Sequence, residues 1–429
     1  MVEVPNDVSD ALADAARLHA PGVLAILATR FGNLDLADDA VADALVDATR
    51  SWPANGVPDK PAAWLMTAAK RRAIDRSRKA KRDLNRTNAS AQDLLEQHET
   101  ADVGGQHMVD DRADIADERL RLLFLCCHPA LDTDAQVALT LRLVGGLTTP
   151  EISAAFLLPE ATLAQRIVRA KRKIRLANIP LSVPDPLSDR LDSVLGVLYL
   201  IFNEGYLSRS DGDASPVRVD LVAEAIRLTT VLTELTDEPE VRGLLALQLF
   251  HQSRQASRLD STGELVLLED QDRSKWDLAR IEEANAHLFK AMEQMTPGRY
   301  QAEAIIASHH ANARTADDTD WASIASIYSQ LEAMSGSSVV GLNRAVSVAM
   351  ADGPLAGLKI LDGIEDLDHY HLFWATKGEL LRRAGEPSAA IEALERAIEM
   401  ATAPTEIRHL KRKVDQLIQL VQQLGLRPS

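Results

Sequence analysis

The 429-residue sequence has few cysteines, few aromatic residues and no long apolar run. Its two cysteines, Cys126 and Cys127, are adjacent and cannot easily bridge to each other, which excludes a disulfide framework and favours a reducing cytoplasm. Aromatic residues make up only 4% of a chain rich in Ala and Leu, which favours helices.

Signals for a membrane or for secretion are also missing. The longest apolar run, residues 194–202, is too short to cross a bilayer and is predicted to form a buried helix. The amino-terminal segment lacks the basic and apolar regions of a signal peptide. The sequence therefore predicts an all-α protein of two or three domains in the cytoplasm, with no membrane partner.

The net charge of −16 is unevenly distributed along the chain. Residues 1–180 contain 23 Lys and Arg against 25 Asp and Glu, whereas residues 181–429 carry a net charge of −14. Within the first part, acidic and basic residues occupy separate blocks. A nucleic-acid surface is therefore compatible with the first part in spite of the acidic total.

One strongly basic helix is predicted for residues 64–82, where Leu65, Ala69 and Ala73 recur on a core face. A second face carries Trp64, Arg71, Asp75, Arg78, Lys79 and Arg82. Cations for phosphates, together with polar groups and a ring for bases, are what a DNA-reading helix needs. The alternative is a solvated basic face on an ordinary bundle helix.

An acidic row precedes this helix. In a helix predicted for residues 35–52, Asp35, Asp39, Asp43 and Asp47 recur every fourth residue, and Asp38 lies beside them. Like charges at this spacing repel by about 0.2–0.5 kcal/mol per pair, and the helix dipole relieves only the first turn. We interpret the row as uncompensated and therefore as a surface for a basic partner, with a solvated acidic face as the alternative.

Residues 148–175 have the pattern of a helix-turn-helix. Thr148, Pro150 and Glu151 mark a helix start, a short turn follows, and a second helix is predicted for residues 161–175. The second helix carries the polar and basic residues Thr162, Gln165, Arg166, Arg169 and Arg172. We interpret it as a DNA-recognition helix. The polar residues 83–117 before this domain are predicted to be a flexible linker, with one short helix near residues 91–97.

Residues beyond 180 are predicted to form paired helices. From residue 371 onward, small and large residues recur with the spacing of a 34-residue tetratricopeptide (TPR) unit, and a weaker copy precedes it around Ala345 and Gly357. Such units bury their faces only by stacking, so we expect a solenoid.

Polar residues are clustered within these otherwise apolar predicted helices, at Asn203, Glu204, Tyr206, Asp270, Asp272, Arg273, Asn343 and Arg344. Three interpretations remain open: networks that fix helix pairs, a groove for a protein or small-molecule ligand, and catalysis. No motif of a known catalytic site supports the last of these. Cys126, Cys127 and His128 lack a matching second ligand pair, so neither a metal nor a cofactor is predicted.

The acidic helix, the basic helix and the helix-turn-helix, in this order, resemble a bacterial extracytoplasmic-function (ECF) sigma factor. The segment 37–43 (ADDAVAD) resembles the helix with which these subunits contact RNA polymerase, and segments 64–65 (WL) and 73–75 (AID) with Arg78 resemble the helix that reads the −10 promoter element. A subgroup with a long TPR-containing extension is similar at segments 120–132, 138–153, 169–175, 199–206, 267–277, 319–321 and 342–346.

The resemblance implies a non-enzymatic protein with two partners, core RNA polymerase and promoter DNA. Asp38, Asp39 and Asp43 would contact polymerase. The basic helix face and the loop 53–60 would capture the −10 element as a single strand, and the helix from residue 161 would read the −35 element in the major groove.

The implied domains are residues 1–82 for region 2, 83–117 for the linker, 118–178 for region 4 and 187–429 for the extension. The extension would regulate the other domains in cis. Two rivals remain: a TPR-coupled helix-turn-helix regulator that acts without polymerase contacts, and an enzyme or scaffold with incidental basic helices. The acidic helix before the basic one argues against both.

Overall fold

The computed structural model describes residues 6–88, 111–156, 158–182, 184, 188–207, 216–260, 266–401 and 404–423. These ranges are predominantly helical, and apart from one isolated bridge residue, Leu259, they contain no β-structure. The all-α fold class is therefore confirmed. The short helix predicted near residues 91–97 lies outside the described residues.

The amino-terminal helices are α1 (Asn6–Asp14), a π-helical turn (Ala15–His19), α2 (Ala20–Phe31), α3 (Leu34–Asn55) and α4 (Pro61–Asn88). Gly32, with φ at 61°, ends α2, and the Asn33 side chain caps α3 by accepting from the Leu36 amide at 3.0 Å. Helix α3 continues through Pro53, so the loop predicted from residue 53 begins only at Gly56.

Helix α2 is the core helix of this first domain. The stretch Ala11–Phe31 is long and apolar enough by composition to cross a membrane, but half of its most apolar part is buried inside the protein. Leu24, Leu27 and Ala28 are buried where α2 packs against α3, α4 and α5. This packing accounts for the apolar composition.

The helix-turn-helix domain consists of α5 (Asp111–Cys126), α6 (Thr133–Leu139), a π-helical turn (Thr140–Val144), α7 (Thr149–Ala155) and α8 (Glu160–Leu176). Thr148 and Glu151 form the reciprocal capping box expected from the sequence. Residues 83–88 and 111–117, assigned to the linker from the sequence, belong to α4 and α5 instead. No Gly or Pro interrupts these segments, so the helical pattern of hydrogen bonding can continue.

The chain divides into two compact units, and the boundary differs from the one predicted at residue 187. Unit 1 comprises residues 1–204 and 223–235, and unit 2 comprises residues 205–222 and 236–429. Unit 1 therefore includes most of α9 (Ser188–Leu207) and the second half of α10 (Pro216–Leu235). Helix α9 belongs there because it is apolar on most sides and buries Leu191, Val194, Leu195, Val197, Leu198, Ile201 and Phe202.

Unit 2 contains the helices α11 (Pro239–Ser253), α12 (Leu278–Glu293), α13 (Arg299–Asn312), α14 (Trp321–Ser335), α15 (Ser338–Asp352), α16 (Pro354–Leu361), α17 (His371–Arg383), α18 (Pro387–Met400) and α19 (Pro404–Gln423). Most of these helices pack on a neighbour in the sequence, whereas α13 packs mainly on α11 rather than on α12. Glycines allow the close approach: a Cβ atom on Gly378 would lie 2.7 Å from Leu394 Cγ, and one on Gly357 would lie 2.5 Å from Ala349 Cβ.

Candidate nucleic-acid interface

The arginines of α4 divide into two groups with different surroundings. Arg72 and Arg76 face α3, where Arg72 lies 2.6 Å from Asp47 and Arg76 lies 2.7 Å from Asp39 and 2.8 Å from Asp43. The acidic row of α3 is therefore compensated within the chain. The interpretation of this row as uncompensated is wrong, because α4 packs against α3 and brings positive charges next to the acids. The sequence alone does not show this packing.

The outward face of α4 carries the other basic side chains. Arg71, Asp75, Arg78, Lys79 and Arg82 are all exposed, and the Arg82 Nε atom donates to the Arg78 carbonyl at 3.2 Å. Trp64 differs from them, since its half-buried ring contacts the buried Trp52 edge-on at a centroid distance of 5.6 Å. Five of the six predicted residues thus share one accessible face, while Trp64 lies at the domain core.

Helix α8, which the sequence predicts to be a recognition helix, presents a second exposed basic face. Thr162, Gln165, Arg169 and Arg172 are exposed, whereas Leu163, Ile167, Ala170 and Ile174 are buried beneath them. Arg166 is partly buried, and its Nη1 atom lies 3.0 Å from Asp134 Oδ2 of α6. Asp134 therefore orients the guanidinium, a role that nothing in the local sequence pattern indicated.

Val168 is one exposed residue that sequence reasoning missed on α8. Its side chain is 64% exposed beside Arg169, whereas most other apolar residues of α8 are buried in the domain core. Apolar side chains in the major groove contact thymine methyl groups. Exposure at a position adjacent to basic residues is a signal that only the packing reveals.

The helix-turn-helix domain packs against the amino-terminal domain within unit 1. Lys171 of α8 forms an ion pair with Asp38 of α3, and Arg175 lies 2.5 Å from Asp35. Arg17 of the π-helical turn lies 3.1 Å from Glu151. Asp38, predicted to contact polymerase, is therefore engaged inside the chain, and its side chain is only 18% exposed.

The two cysteines are buried at the end of α5. The Cys127 Sγ atom lies 3.5 Å from Thr140 Oγ1, and burial raises the pKa of Cys127 to about 12. Burial and the neighbouring Cys127 also raise the pKa of Cys126 well above its usual range. Both are protonated near neutral pH, as expected of structural thiols rather than metal ligands.

The polar residues predicted to form a groove in the extension have different surroundings. Arg258 stacks on the Tyr206 ring at 3.7 Å, Asp272 caps a short 3₁₀ turn, and Arg344 pairs with Glu332 at 2.5 Å. Arg273 donates to the carbonyls of His310 and Ala313. Asn203 and Glu204 belong to unit 1, and Asn343 is an exposed residue of α15.

Asp270 and Arg273 line a cavity in unit 2 that has a volume of about 770 Å³. The basic groups on its wall are already paired: Arg383 contacts Glu269 and Glu379, and Lys413 contacts Glu379. Burial would raise the pKa of Glu379, but Arg382, Lys413 and Arg383 lower it to about 2. These contacts fit networks that fix helix pairs.

The exposed basic faces on α4 and α8 fit a helical DNA-binding protein, and comparison with known families agrees. Sigma-70 region 2 matches residues 15–83, and Sigma-70, region 4 matches residues 121–174. A family of unknown function (DUF6596) matches residues 190–292. An uncharacterized protein of Rhizobium meliloti (strain 1021) is 40% identical over 403 residues, which cover 92% of this chain and 93% of that protein.

The chain belongs to the sigma-70 family and is an ECF-like sigma factor for promoter recognition. The presence of region 2 disfavours the rival regulator, which needs only the helix-turn-helix. Members of this family are DNA-binding regulators rather than enzymes.

Proposed function

We propose that this chain binds core RNA polymerase, reads the −10 element with the outer face of α4 and the −35 element with α8, and is regulated in cis by its extension. The carrying observation is the division of the α4 arginines. Arg72 and Arg76 form ion pairs with the acids of α3, while Arg71, Arg78, Lys79 and Arg82 remain exposed on one face. Exposed cations on one face of a helix are suited to phosphate contacts.

The −35 element would be read by exposed side chains near the start of α8. Thr162, Gln165 and Arg166 lie in its first two turns, where a recognition helix contacts base edges. Arg169 and Arg172, further along, would contact phosphates. Asp134 supports this division, because its contact with the Arg166 guanidinium favours one orientation of that group before DNA binds.

The predicted polymerase surface consists of Asp38, Asp39 and Asp43. The side chains of Asp39 and Asp43 are 60% and 38% exposed although both contact Arg76, so they can accept further bonds from a basic partner. The TPR-like helix pairs of unit 2, with glycines at their closest approaches, would form the regulatory part.

Run-off transcription with purified core polymerase tests the function. The template carries the promoter upstream of the operon that encodes this chain. The chain and core enzyme together should yield a transcript, and neither alone should do so. Arg78→Ala with Lys79→Ala should weaken the transcript, whereas Lys70→Ala, a half-buried residue off that face, serves as the matched control. No transcript together with no co-purification with core enzyme would refute the proposal.

A further inference from the structure

Two adjacent glycines of the helix-turn-helix domain contact two different parts of unit 1. A Cβ atom on Gly146, where φ is +73°, would lie 2.8 Å from the Ala16 carbonyl oxygen in the π-helical turn of region 2. A Cβ atom on Gly145 would lie 3.1 Å from Glu224 Oε1 in α10 of the extension. Region 2, region 4 and the extension therefore meet at this turn.

Glu224 is a buried acid among positive charges. Glu224 is only 9% exposed, and its carboxylate accepts hydrogen bonds from Arg227 Nε at 2.9 Å and from Arg227 Nη2 at 2.5 Å. Burial raises the pKa of Glu224 even though Arg227, Arg17 and Arg119 all favour its charged form. The carboxylate thus bonds Arg227 on its own helix and also attracts Arg17 and Arg119, which lie on two other segments of the chain.

Arg119 of α5 connects this cluster to region 2. Its Nη2 atom donates to the Leu18 carbonyl, while its Nε atom is buried with no hydrogen-bond partner among the described residues. Burial and the nearby Arg227 lower the pKa of Arg119. A buried guanidinium with an unsatisfied N–H is costly, so the closed junction depends on the countercharge of Glu224.

Closure of this junction coincides with closure at the far side of α8. There the pairs Lys171–Asp38 and Arg175–Asp35 join the recognition helix to α3. Lys171 and Asp38 are 13% and 18% exposed, so this pair is shielded from solvent. While these contacts persist, the basic end of α8 covers the first acids of α3.

This arrangement cannot serve both promoter elements at once. A compact unit of this length has a radius of gyration of roughly 17 Å. Elements named for positions −35 and −10 are separated by roughly 25 base pairs, or roughly 85 Å at 3.4 Å per base pair. Regions 2 and 4 must therefore move apart before both elements are read.

We infer that Glu224 of α10 is a latch residue, through which the extension holds regions 2 and 4 closed and keeps Asp35 and Asp38 of α3 covered. The inference rests on the proposed function, because it takes core polymerase to be the partner that the closed form excludes. Loss of the Glu224 charge leaves Arg119 and Arg227 uncompensated at the junction, which favours its opening.

The test measures the separation of the two regions in the full chain by spin labels at Val46→Cys and Val168→Cys. These positions are 47% and 64% exposed, whereas Cys126 and Cys127 are fully buried and will not be labelled. Glu224→Gln removes the charge with little change in shape. Glu234→Gln, an exposed acid on the same helix, is the matched control.

The labelled parent chain and its Glu234→Gln control should each give a single short distance between the two labels. The Glu224→Gln variant should show an additional, longer distance. Glu224→Gln should also bind core polymerase at least about fivefold more tightly, which corresponds to about 1 kcal/mol. If Glu224→Gln does not fold, Glu224→Asp, which withdraws the carboxylate by one methylene, should give a smaller population of the longer distance.

A folded Glu224→Gln or Glu224→Asp variant with the distance distribution of the parent chain would overturn the latch. A longer distance with unchanged polymerase affinity would overturn its control of polymerase binding. If parent and variant alike fail to bind polymerase, the proposed function fails, and the label distances still decide whether Glu224 holds the two regions together.

Discussion

The Arg76 guanidinium of α4 donates two hydrogen bonds to the Asp43 carboxylate of α3, from Nε at 2.9 Å and from Nη2 at 2.8 Å. Because Arg76 also contacts Asp39, replacing both acids by arginine would crowd three guanidinium groups together. Replacement by asparagine is the cleaner test of the polymerase surface, since it removes charge without creating repulsion.

Asp39→Asn with Asp43→Asn should lower the affinity for core polymerase at least about tenfold, or about 1.4 kcal/mol. The melting temperature should change little, because exposed ion pairs contribute about 0–1 kcal/mol each. Asp47→Asn breaks the equivalent pair with Arg72 outside the predicted contact and is the control. Equal polymerase affinity for all three proteins would show that the acidic row serves only the fold.

Arg166→Ala and Arg172→Ala should differ in kind. Loss of Arg166 should relax one −35 position and cost about 1–3 kcal/mol, whereas loss of Arg172 should weaken all promoters alike and lower the salt slope by about one. Asp134→Ala should imitate Arg166→Ala in a weaker form, because it frees the guanidinium that it orients. The measurement is the affinity of each variant for a library of −35 sequences at several salt concentrations. Identical profiles for Arg166→Ala and Arg172→Ala would contradict the assignment.

Truncation should separate structural support from regulation. A chain ending at residue 182 loses α9, whose apolar side chains are buried in unit 1, and Arg190, which lies 5.8 Å from the Phe124 ring. We expect it to unfold at a lower temperature or to aggregate. A chain ending at residue 235 keeps the whole of unit 1 and should unfold cooperatively.

Transcription by the chain ending at residue 235 then reports on regulation. A change of at least about tenfold from the full-length rate, equivalent to about 1.4 kcal/mol, is expected if unit 2 controls activity in cis. The same rate under all conditions would show that unit 2 is a passenger. Equal thermal stability of the two truncated chains would contradict the supporting role of α9.

Acid should weaken unit 2 through Glu379. Its folded pKa of about 2 lies below the usual 4.5, so its contribution to stability is present above about pH 4.5 and is lost as the pH falls towards 2. Because solvent screens these partly exposed pairs, the shift corresponds to at most on the order of 2–3 kcal/mol. Melting temperatures between pH 6 and pH 3 should fall less for Glu379→Gln than for Glu386→Gln, the exposed control on a neighbouring segment. Parallel slopes would contradict this account.

Gly378 should tolerate no larger residue. A Cβ atom there would lie 2.7 Å from Leu394 Cγ and 3.1 Å from the Ala390 carbonyl oxygen, so Gly378→Ala should destabilise unit 2 by about 1–3 kcal/mol. Gly363→Ala is the control, since its nearest atom would be at an ordinary 3.5 Å. Denaturant unfolding of both variants measures the difference, and equal midpoints would refute the close approach.

The sequence by itself determined the helices and their order. The capping box of Thr148 and Glu151, the ending of α2 at Gly32 and the apolar spacing in α8 are local patterns, in which each residue acts on neighbours within a turn or two. The basic face of α4 followed from the same helical period. The match of region 2 and region 4 to residues 15–83 and 121–174 agrees with this order.

Only the tertiary structure decided which charges are free. Lys171 and Asp38 are 133 residues apart in the chain, and no local pattern indicates that they pair. The acids of α3 looked uncompensated because Arg72 and Arg76 reach them only once α3 and α4 pack together. The placement of α9 and Glu224 in unit 1 likewise depends on contacts between residues that are distant in the sequence. Side-chain periodicity predicts how much of a helix is buried, but not which helix it packs against.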